Sequence, residues 1–538
     1  MRGLAWFIEF FVHIQMVQTG GGMGMAVAAA LAVALLPWLW AALVHLVCRP
    51  YAVARAFARQ GIRGPPYRFF VGNAGEATAM LEAASGEAAL DRSSHDIVPR
   101  VMPHLRAWTS LYGKVFLSWS GSTPALCVGS YAMARRVLSD KAGLYGKKDP
   151  GPAILALLGM GLIFAEGEDW VRHRRVVHPA FAMNKLKAMA GVVAACAGEV
   201  IRSWEAAAAV GGEVTVEVGQ QFMELTADVI SRTAFGSSYR QGKEVFLAQR
   251  ELQLMAFASN RVRVPGMQWA PTKANVRRWR LERKVRGTLM AIIDKRLSAA
   301  KEGAGDYGTD LLGLMLEANA GEGGQSVMTM DEIIDECKTF FFAGHESTTH
   351  LLTWAMFLLG THPEWQRRLR EEVLRECGGA EKPLHGDTLN KLKLVTMVLH
   401  ETLRLYGAAT LIKRRATADA DLCGVVVPEG TVLLIPIAML HRDEEAWGGD
   451  AGEFNPLRFK DDAGRAAPAH PGALLSFSAG PRSCIGKDFA MMEAKAALAA
   501  VMRRFAFEVA PEYVHAPADF LTLQPSQGLP VVLRLLDP

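Results

Sequence analysis

Cysteine is sparse in this chain and badly arranged for cross-linking. Seven cysteines stand at positions 48, 127, 196, 337, 377, 423 and 484 of 538 residues. The number is odd, no CxxC pair occurs, and no closely spaced ligand set exists, which excludes a disulfide framework and a zinc cluster and points to a reducing compartment. Net charge is also scarce. The 59 Lys and Arg against 54 Asp and Glu leave only +5, far from the concentrated basic stripe of a nucleic-acid binder, so no nucleic-acid partner is expected. Fixed-period repeats are missing, as are long low-complexity tracts beyond the N-terminal segment. What the chain has in quantity is apolar residues, 50% of the total, enough for one large domain with an anchor or for two to three domains.

The N-terminus divides by composition. Met23 to Val47 contains no Asp, Glu, Lys or Arg, and its about 25 residues exceed the roughly 20 that a helix needs to cross a bilayer. The segment runs into Cys48, Arg49, Pro50, Arg55 and Arg59 rather than into a small-residue cleavage site, as an uncleaved anchor does. Arg2 and Glu9 cancel before it, so the basic flank after it leaves the body in the cytosol. Residues 1–22 form a tail whose apolar stretch Leu4 to Phe11 either lies along the membrane surface or belongs to a disordered end. Residues 48–66 read as a basic, Pro/Gly-rich hinge, since Gln60 to Tyr67 holds two Gly and two Pro. The body is then 67–538.

Within the body, about 85 to 400 reads mostly as helix, with loops at Gly303 to Tyr307 and Ala320 to Gln325. Strand signals come later; Val425 to Ile435 reads as a hairpin turning at Pro428-Glu429-Gly430. The fold class is mainly α with minor β, one large helix-rich domain behind a single transmembrane helix. Thr339 to Gly360 is long and apolar, but His345, Glu346 and His350 lie at its centre. A carboxylate at mid-bilayer costs at least about 2.5 kcal/mol, so this segment is expected to be a buried helix with a polar belt.

Four groups of residues carry chemistry. Cys484 stands in Phe477-Ser478-Ala479-Gly480-Pro481-Arg482-Ser483-Cys484-Ile485-Gly486, directly before a helical pattern. Free N–H groups and the helix dipole there stabilise a thiolate, as a metal-ligating sulfur requires. Gly480 and Gly486 let backbone approach a flat cofactor, and Arg482 offers a guanidinium to a carboxylate. Glu401 and Arg404, three residues apart, share a helix face. Ala343 to Thr348 places a glycine, Gly344, before an acid and hydroxyls, Glu346, Ser347 and Thr348, a combination able to open a helix and relay protons. Trp170 and Arg174 lie one helical turn apart.

The spacing F-x-x-G-x-R-x-C-x-G resembles the haem-binding signature of the cytochrome P450 superfamily; its five fixed residues arise by chance in a chain of this length with odds on the order of one in ten thousand. The other three motifs follow in the family's order. The resemblance implies haem b, with Cys484 as the axial metal ligand, Phe477, Gly480, Arg482 and Gly486 around it, and Trp170, Arg174 and Arg414 at the propionates. It implies a structural triad of Glu401, Arg404 and Arg458, and proton delivery by Glu346 with Ser347 or Thr348. Two departures stand out: Ser347 replaces the usual threonine, and Gly407 replaces the usual proline after Tyr406, which predicts an altered path for the segment Gly407 to Lys413. The implied activity is insertion of one oxygen atom from O2 into a C–H bond of an apolar small molecule. NADPH serves only through a partner, NADPH-cytochrome P450 reductase, since the chain has no phosphate-binding glycine loop or flavin domain. Arg172, Arg174 and Arg175 are candidates for the docking face. Long segments around Asp335 to Glu346 and Leu521 to Pro525 look like a plant endoplasmic-reticulum group of fatty-acid, cytokinin and brassinosteroid hydroxylases, with fatty acid favoured as substrate. The competing readings are a haem-thiolate isomerase, which has no use for the acid–hydroxyl pair, and a haem-binding membrane protein without turnover.

Overall fold

The computed structural model describes residues 22–209, 211–258, 266–303, 306–320, 327–379, 382–460 and 472–536; residues 1–21 of the expected tail lie outside them. Helix α1 (Gly22–Leu43) passes through one π-helical turn (Val44–Cys48) into α2 (Arg49–Arg59) without a break. The basic flank, expected to belong to a hinge, is therefore helical. Pro50 has no N–H and would leave the Leu46 carbonyl unpaired in a regular helix. The π turn shifts the register, with the Arg49 N–H reaching Val44 O, and the Tyr67 hydroxyl donates to Leu46 O at 2.7 Å. Turning is confined to the residues after α2, where Gly61 takes φ +78°. Val53 and Phe57 of α2 are buried in a core cluster with Leu117, Trp119 and Leu126, so α2 already belongs to the body. α1 does not. Its Leu35, Leu36, Trp38, Leu39 and Trp40 are exposed, Trp38 by 76%. Residues Ala29–Arg59 form a helical stretch long and apolar enough to cross a membrane.

Strands β1 (Val115–Ser120) and β2 (Thr123–Val128) form a hairpin inside the region read as helical. Both faces of this hairpin are buried, so its sequence lacks the polar–apolar alternation that announces a strand. With β3 (Tyr145–Gly146) they enter a five-stranded sheet of order β1-β2-β8-β5-β3, completed by β5 (Ile412–Ala416) and β8 (Val432–Ile435). The later hairpin is rearranged. β7 (Val425–Val427) pairs with β6 (Ala420–Leu422) around Cys423 and Gly424, both at positive φ, as a two-residue hairpin turn demands. Pro428 to Thr431 is indeed a turn, but it hands the chain to the other sheet instead of pairing β7 with β8. Strand β4 (Glu213–Glu217) joins β12 (Pro530–Leu535) and β9 (Phe505–Val509), while β10 (Pro517–Asp519) and β11 (Leu523–Pro525) make a C-terminal hairpin.

Helices make up the rest. Those that position the site are α3 (Gly167–Val177), α4 (Val218–Phe235), α5 (Tyr239–Ala258), α6 (Met330–Thr361), α7 (Lys393–Tyr406) and α8 (Lys487–Met502). α6 has 32 residues, about 48 Å of helix, and crosses the core. It starts at a capping box in which Thr329 and Glu332 exchange side-chain and backbone hydrogen bonds. The expected polar belt is present and buried, and its hydroxyls are satisfied locally: Ser347, Thr349 and Thr353 each donate to the carbonyl four residues earlier. α6 runs unbroken through Gly344. That glycine serves close packing instead of a helix opening, because a Cβ there would stand 2.7 Å from Ile230 Cδ1 on α4.

Candidate active site

Beneath the site, α7 presents Glu401 and Arg404 to each other with no solvent exposure on either side chain. Arg404 forks onto the carboxylate with two 2.7 Å bonds and spends its other N–H groups on the carbonyls of His441, Ala451 and Glu453. Glu401 also accepts the Asn455 N–H at 2.9 Å, and Arg458 approaches it at 3.5 Å while binding Asp450. The structure thus brings the three expected residues together. It adds His441, for which the sequence carries no signal. One ring nitrogen faces Arg404 O at 3.0 Å; the other accepts the Leu475 N–H at 2.9 Å, which fixes a neutral tautomer with the proton on Nδ1. Burial lowers the His441 pKa to about 3, consistent with that state. His441 therefore couples α7 to the start of the cysteine loop.

That loop folds back on itself through Ser478 and Gly480, at φ +59° and +68°, and closes with the Cys484 N–H on Phe477 O at 2.9 Å. Gly480 is needed for its φ and because a Cβ would run into the Leu138 carbonyl. Gly486, by contrast, has only Phe181 Cε1 within reach, 3.7 Å from where a Cβ would stand. Cys484 precedes α8 and is accessible, although it sits deep enough that burial raises its thiol pKa, opposed by the Gly486 N–H and Arg174. A deep yet accessible sulfur is one that lines an interior surface.

Beside it is a knot of positive charge. Arg482 lies 4.4 Å over the Trp170 ring, Arg174 lies 5.7 Å from it, and Arg174 donates to Ser483 O. Arg414, buried on the inner face of β5, and Lys147, which follows β3, complete the group. Burial and the mutual repulsion of these cations lower Lys147 to about 7 and Arg414 to about 10. Glu166 is the one carboxylate that acts against these shifts; it accepts the Lys147 N–H. Among the described residues no ion pair engages Arg174, Arg414 or Arg482. Four gathered cations facing one carboxylate fit a dianionic partner such as the two propionates of a haem. With the accessible sulfur nearby, the residues present fit the expected cofactor. Lys147 and Glu166 were not foreseen, since a Gly-Lys-Lys run carries no motif.

Above the site, α6 is buried on every side between Glu336 and Leu359 except along Ala343, Gly344 and Ser347, which are half-buried. Their spacing of one and three puts them on one face, so this stripe borders the interior. Glu346 points elsewhere. Its Oε1 accepts from Gln253 of α5 at 2.8 Å, Thr522 at 2.9 Å and His350 at 3.2 Å. Burial pushes this carboxyl pKa up, but His350, His345 and Gln253 pull it further down, and the group is held ionised. Thr348 turns to the opposite side, towards Glu493 of α8, a fully buried carboxyl whose pKa burial raises well above the usual range, with the Thr348 hydroxyl opposing that shift. The segment after α7 leaves at Gly407 with φ −60° and ψ 137°, dihedrals that a proline also adopts. A Cβ there would nevertheless stand 2.6 Å from the Leu403 carbonyl oxygen, so the glycine lets this exit run closer to α7 than a proline could. Leu523 N–H donates to Ala408 O at 3.0 Å, which brings the C-terminal turn over this segment. The expected docking face changes composition: Arg172 is tied to Glu332 and Asp169, Arg174 faces the cysteine loop, and Arg175 alone of the three is exposed.

Comparison with known proteins agrees with this geometry. Residues 98–529 match the family model of cytochrome P450. The chain is 44% identical over 506 residues to cytochrome P450 709B1 of Arabidopsis thaliana, covering 93% of this chain and 96% of that one. It is 42% identical over 494 residues to cytochrome P450 734A1 of the same plant, covering 91% and 93%. A third relative, cytochrome P450 CYP72A616 of Paris polyphylla, is 42% identical over 509 residues, covering 94% and 96%.

Proposed function

The chain belongs to the cytochrome P450 family and is a plant haem-dependent monooxygenase, and from that premise we propose that it hydroxylates an apolar small molecule, a fatty acid before a hormone or terpenoid, at an endoplasmic-reticulum membrane. Electrons come from NADPH through a membrane-held reductase, with Arg175 in the docking face. Cys484 would hold the haem iron through its sulfur, with Phe477, Gly480 and Gly486 shaping its loop, and Arg174, Arg414, Arg482 and Trp170 would hold the propionates. Haem bound through a thiolate supplies the activation of O2.

The chain's own residues do the rest. Ser347 holds a hydroxyl proton on the half-buried stripe, and it must leave Ala343 O to pass that proton on. Glu346, ionised and bonded by three donors, acts first as the anchor of the substrate roof; it enters proton transfer when one of those donors is replaced by water. Thr348, turned to Glu493, stays outside this path. The roof excludes water by tying α5, α6 and the C-terminal turn to one carboxylate.

What supports an apolar substrate is composition: the residues expected at the pocket, Phe342 and Ala343 on α6, Ala408, Ala409 and Leu411 after α7, and Leu521 in the turn, are all apolar. Two measurements test the reading. The reduced carbon-monoxide difference spectrum of the wild type should show the Soret band that gives the family its name, and Cys484→Ser should lose it. With reductase, NADPH and labelled O2, a fatty acid should gain one labelled oxygen atom. Label appearing only in cytokinin or brassinosteroid substrates would replace the fatty-acid assignment, and haem loading without that Soret band would sink the thiolate.

A further inference from the structure

Strand alternation gives the five-stranded sheet a second basic face. Arg414 of β5 is buried and its neighbour Arg415 is exposed. On Arg415's side lies a cavity of about 250 Å³, walled by His45 and Arg49 at the end of the apolar helix and lined by Ser122, Lys148, Asp149 and Arg415. This cavity is distinct from the site around Cys484, with which it shares no lining residue. Its walls are fixed. His45 Nε2 and Ser122 Oγ stand 3.0 Å apart, and Arg49 donates to Glu429 O at 2.9 Å. Gly430 makes room for the guanidinium, since a Cβ there would lie 2.8 Å from it. Three cations face one carboxylate, Asp149, and among the described residues neither Arg49 nor Arg415 is in an ion pair.

Depth selects the occupant. Arg49 lies two residues beyond Val47, where the uncharged stretch ends, or about 3 Å along the helix axis. The polar layer on each side of a bilayer is roughly 5–7 Å thick. A membrane crossed by α1 therefore puts the cavity mouth at the level of lipid phosphates. We propose that this cavity binds the phosphate of an anionic phospholipid, with Arg49 and Arg415 as its main partners and Lys148 as a third cation. Bound there, the lipid would fix the tilt of the body against the membrane. The proposal rests on the reading of α1 as a membrane helix.

The test uses full-length protein in phosphatidylcholine vesicles doped with spin-labelled phosphatidic acid or spin-labelled phosphatidylcholine. Wild type should immobilise the phosphatidic acid selectively, and Arg415→Gln and Lys148→Gln should each weaken this roughly fivefold, the effect of one basic side chain at an anionic surface. Their carbon-monoxide spectra and flotation with vesicles should stay unchanged. Intact flotation without lipid selectivity, or selectivity indifferent to both variants, overturns the site alone. Displacement of the lipid by millimolar inorganic phosphate overturns the lipid source, making the cavity a free-phosphate site. Loss of flotation in wild type overturns the anchor and the lipid site together.

Discussion

The two sides of the haem site are built on opposite principles. Below it, a carboxylate is bound almost entirely by groups on one rigid frame: Glu401 takes the fork of Arg404, whose remaining donors reach three backbone carbonyls, and His441 joins that helix to the cysteine loop. Above it, Glu346 is bound by side chains from three separate elements, α5, α6 and the C-terminal turn. Side chain to backbone wiring cannot be exchanged without unfolding, whereas side chain to side chain contacts can be traded for water. On the function proposed, the lower side would fix the ligand and the upper side would admit and release a substrate.

The hardest test of that contrast is Arg404→Lys. Lysine keeps the charge but not the planar fork, and leaves Glu401 under-compensated in a dry site, a loss of about 3–5 kcal/mol against a total stability of about 5–15 kcal/mol. Expression should yield no haem-loaded, folded protein, read by the carbon-monoxide spectrum and thermal melting. A variant melting within a few degrees of wild type would show that the lower side is not rigidly wired.

Acid should act next, through the buried histidines, of which His441 belongs to the lower side. Burial depresses His441 and His95 to about 3, and His104, His400 and His515 to about 4. An unfolded histidine titrates near 6.5, so between those values the unfolded chain binds more protons. The stability these residues contribute is complete above pH 6.5 and falls as the pH drops towards 4. Each histidine removes up to about 1.4 kcal/mol per pH unit in that window. The melting temperature should therefore drop steeply from pH 7 to pH 5, and unfolding at pH 5.5 should take up several protons by calorimetry in two buffers. A flat profile would mean that these rings are protonated in the native state.

What the sequence revealed follows the same divide. Cys484, Glu401 and Arg404 were legible because their partners are close in sequence or fixed in spacing. Arg458 came from the family resemblance. Gln253 and Thr522 were not legible, since they reach Glu346 from 93 and 176 residues away and no local pattern marks either one. The β1–β2 hairpin was missed for want of alternation, and the role of Gly344 was misjudged because its constraint, the side chain of Ile230, lies on another helix.

On the upper side the expected effects are smaller. Gln253→Leu and Thr522→Val each remove one donor to a carboxylate that keeps two, at about 1 kcal/mol or less in global stability. Their effect should be local: faster amide exchange in α5 and in residues 517–525, and faster substrate release. The pair should be non-additive, because both act through the same oxygen. Unchanged exchange in both variants would make the roof as rigid as the lower side.

The smallest change in stability is expected from Ser347→Ala, and it separates two hydroxyls that the sequence left equivalent. Ser347 bonds only the carbonyl four residues back, so its removal leaves no buried donor stranded, and the melting temperature should hold. If the half-buried stripe is where protons enter, product formed per NADPH should nevertheless fall several-fold, with the balance lost as reduced oxygen. Thr348→Ala should do the reverse. It strips a buried hydroxyl that faces the Glu493 carboxyl, lowering stability by about 1 kcal/mol, while coupling stays near wild type. Ser347→Thr, which restores the methyl group the family usually has, should raise coupling slightly. Should Thr348→Ala uncouple the reaction and Ser347→Ala spare it, protons would have to arrive from the α8 side through Glu493, and the two sides of the haem would no longer divide into one that holds and one that works.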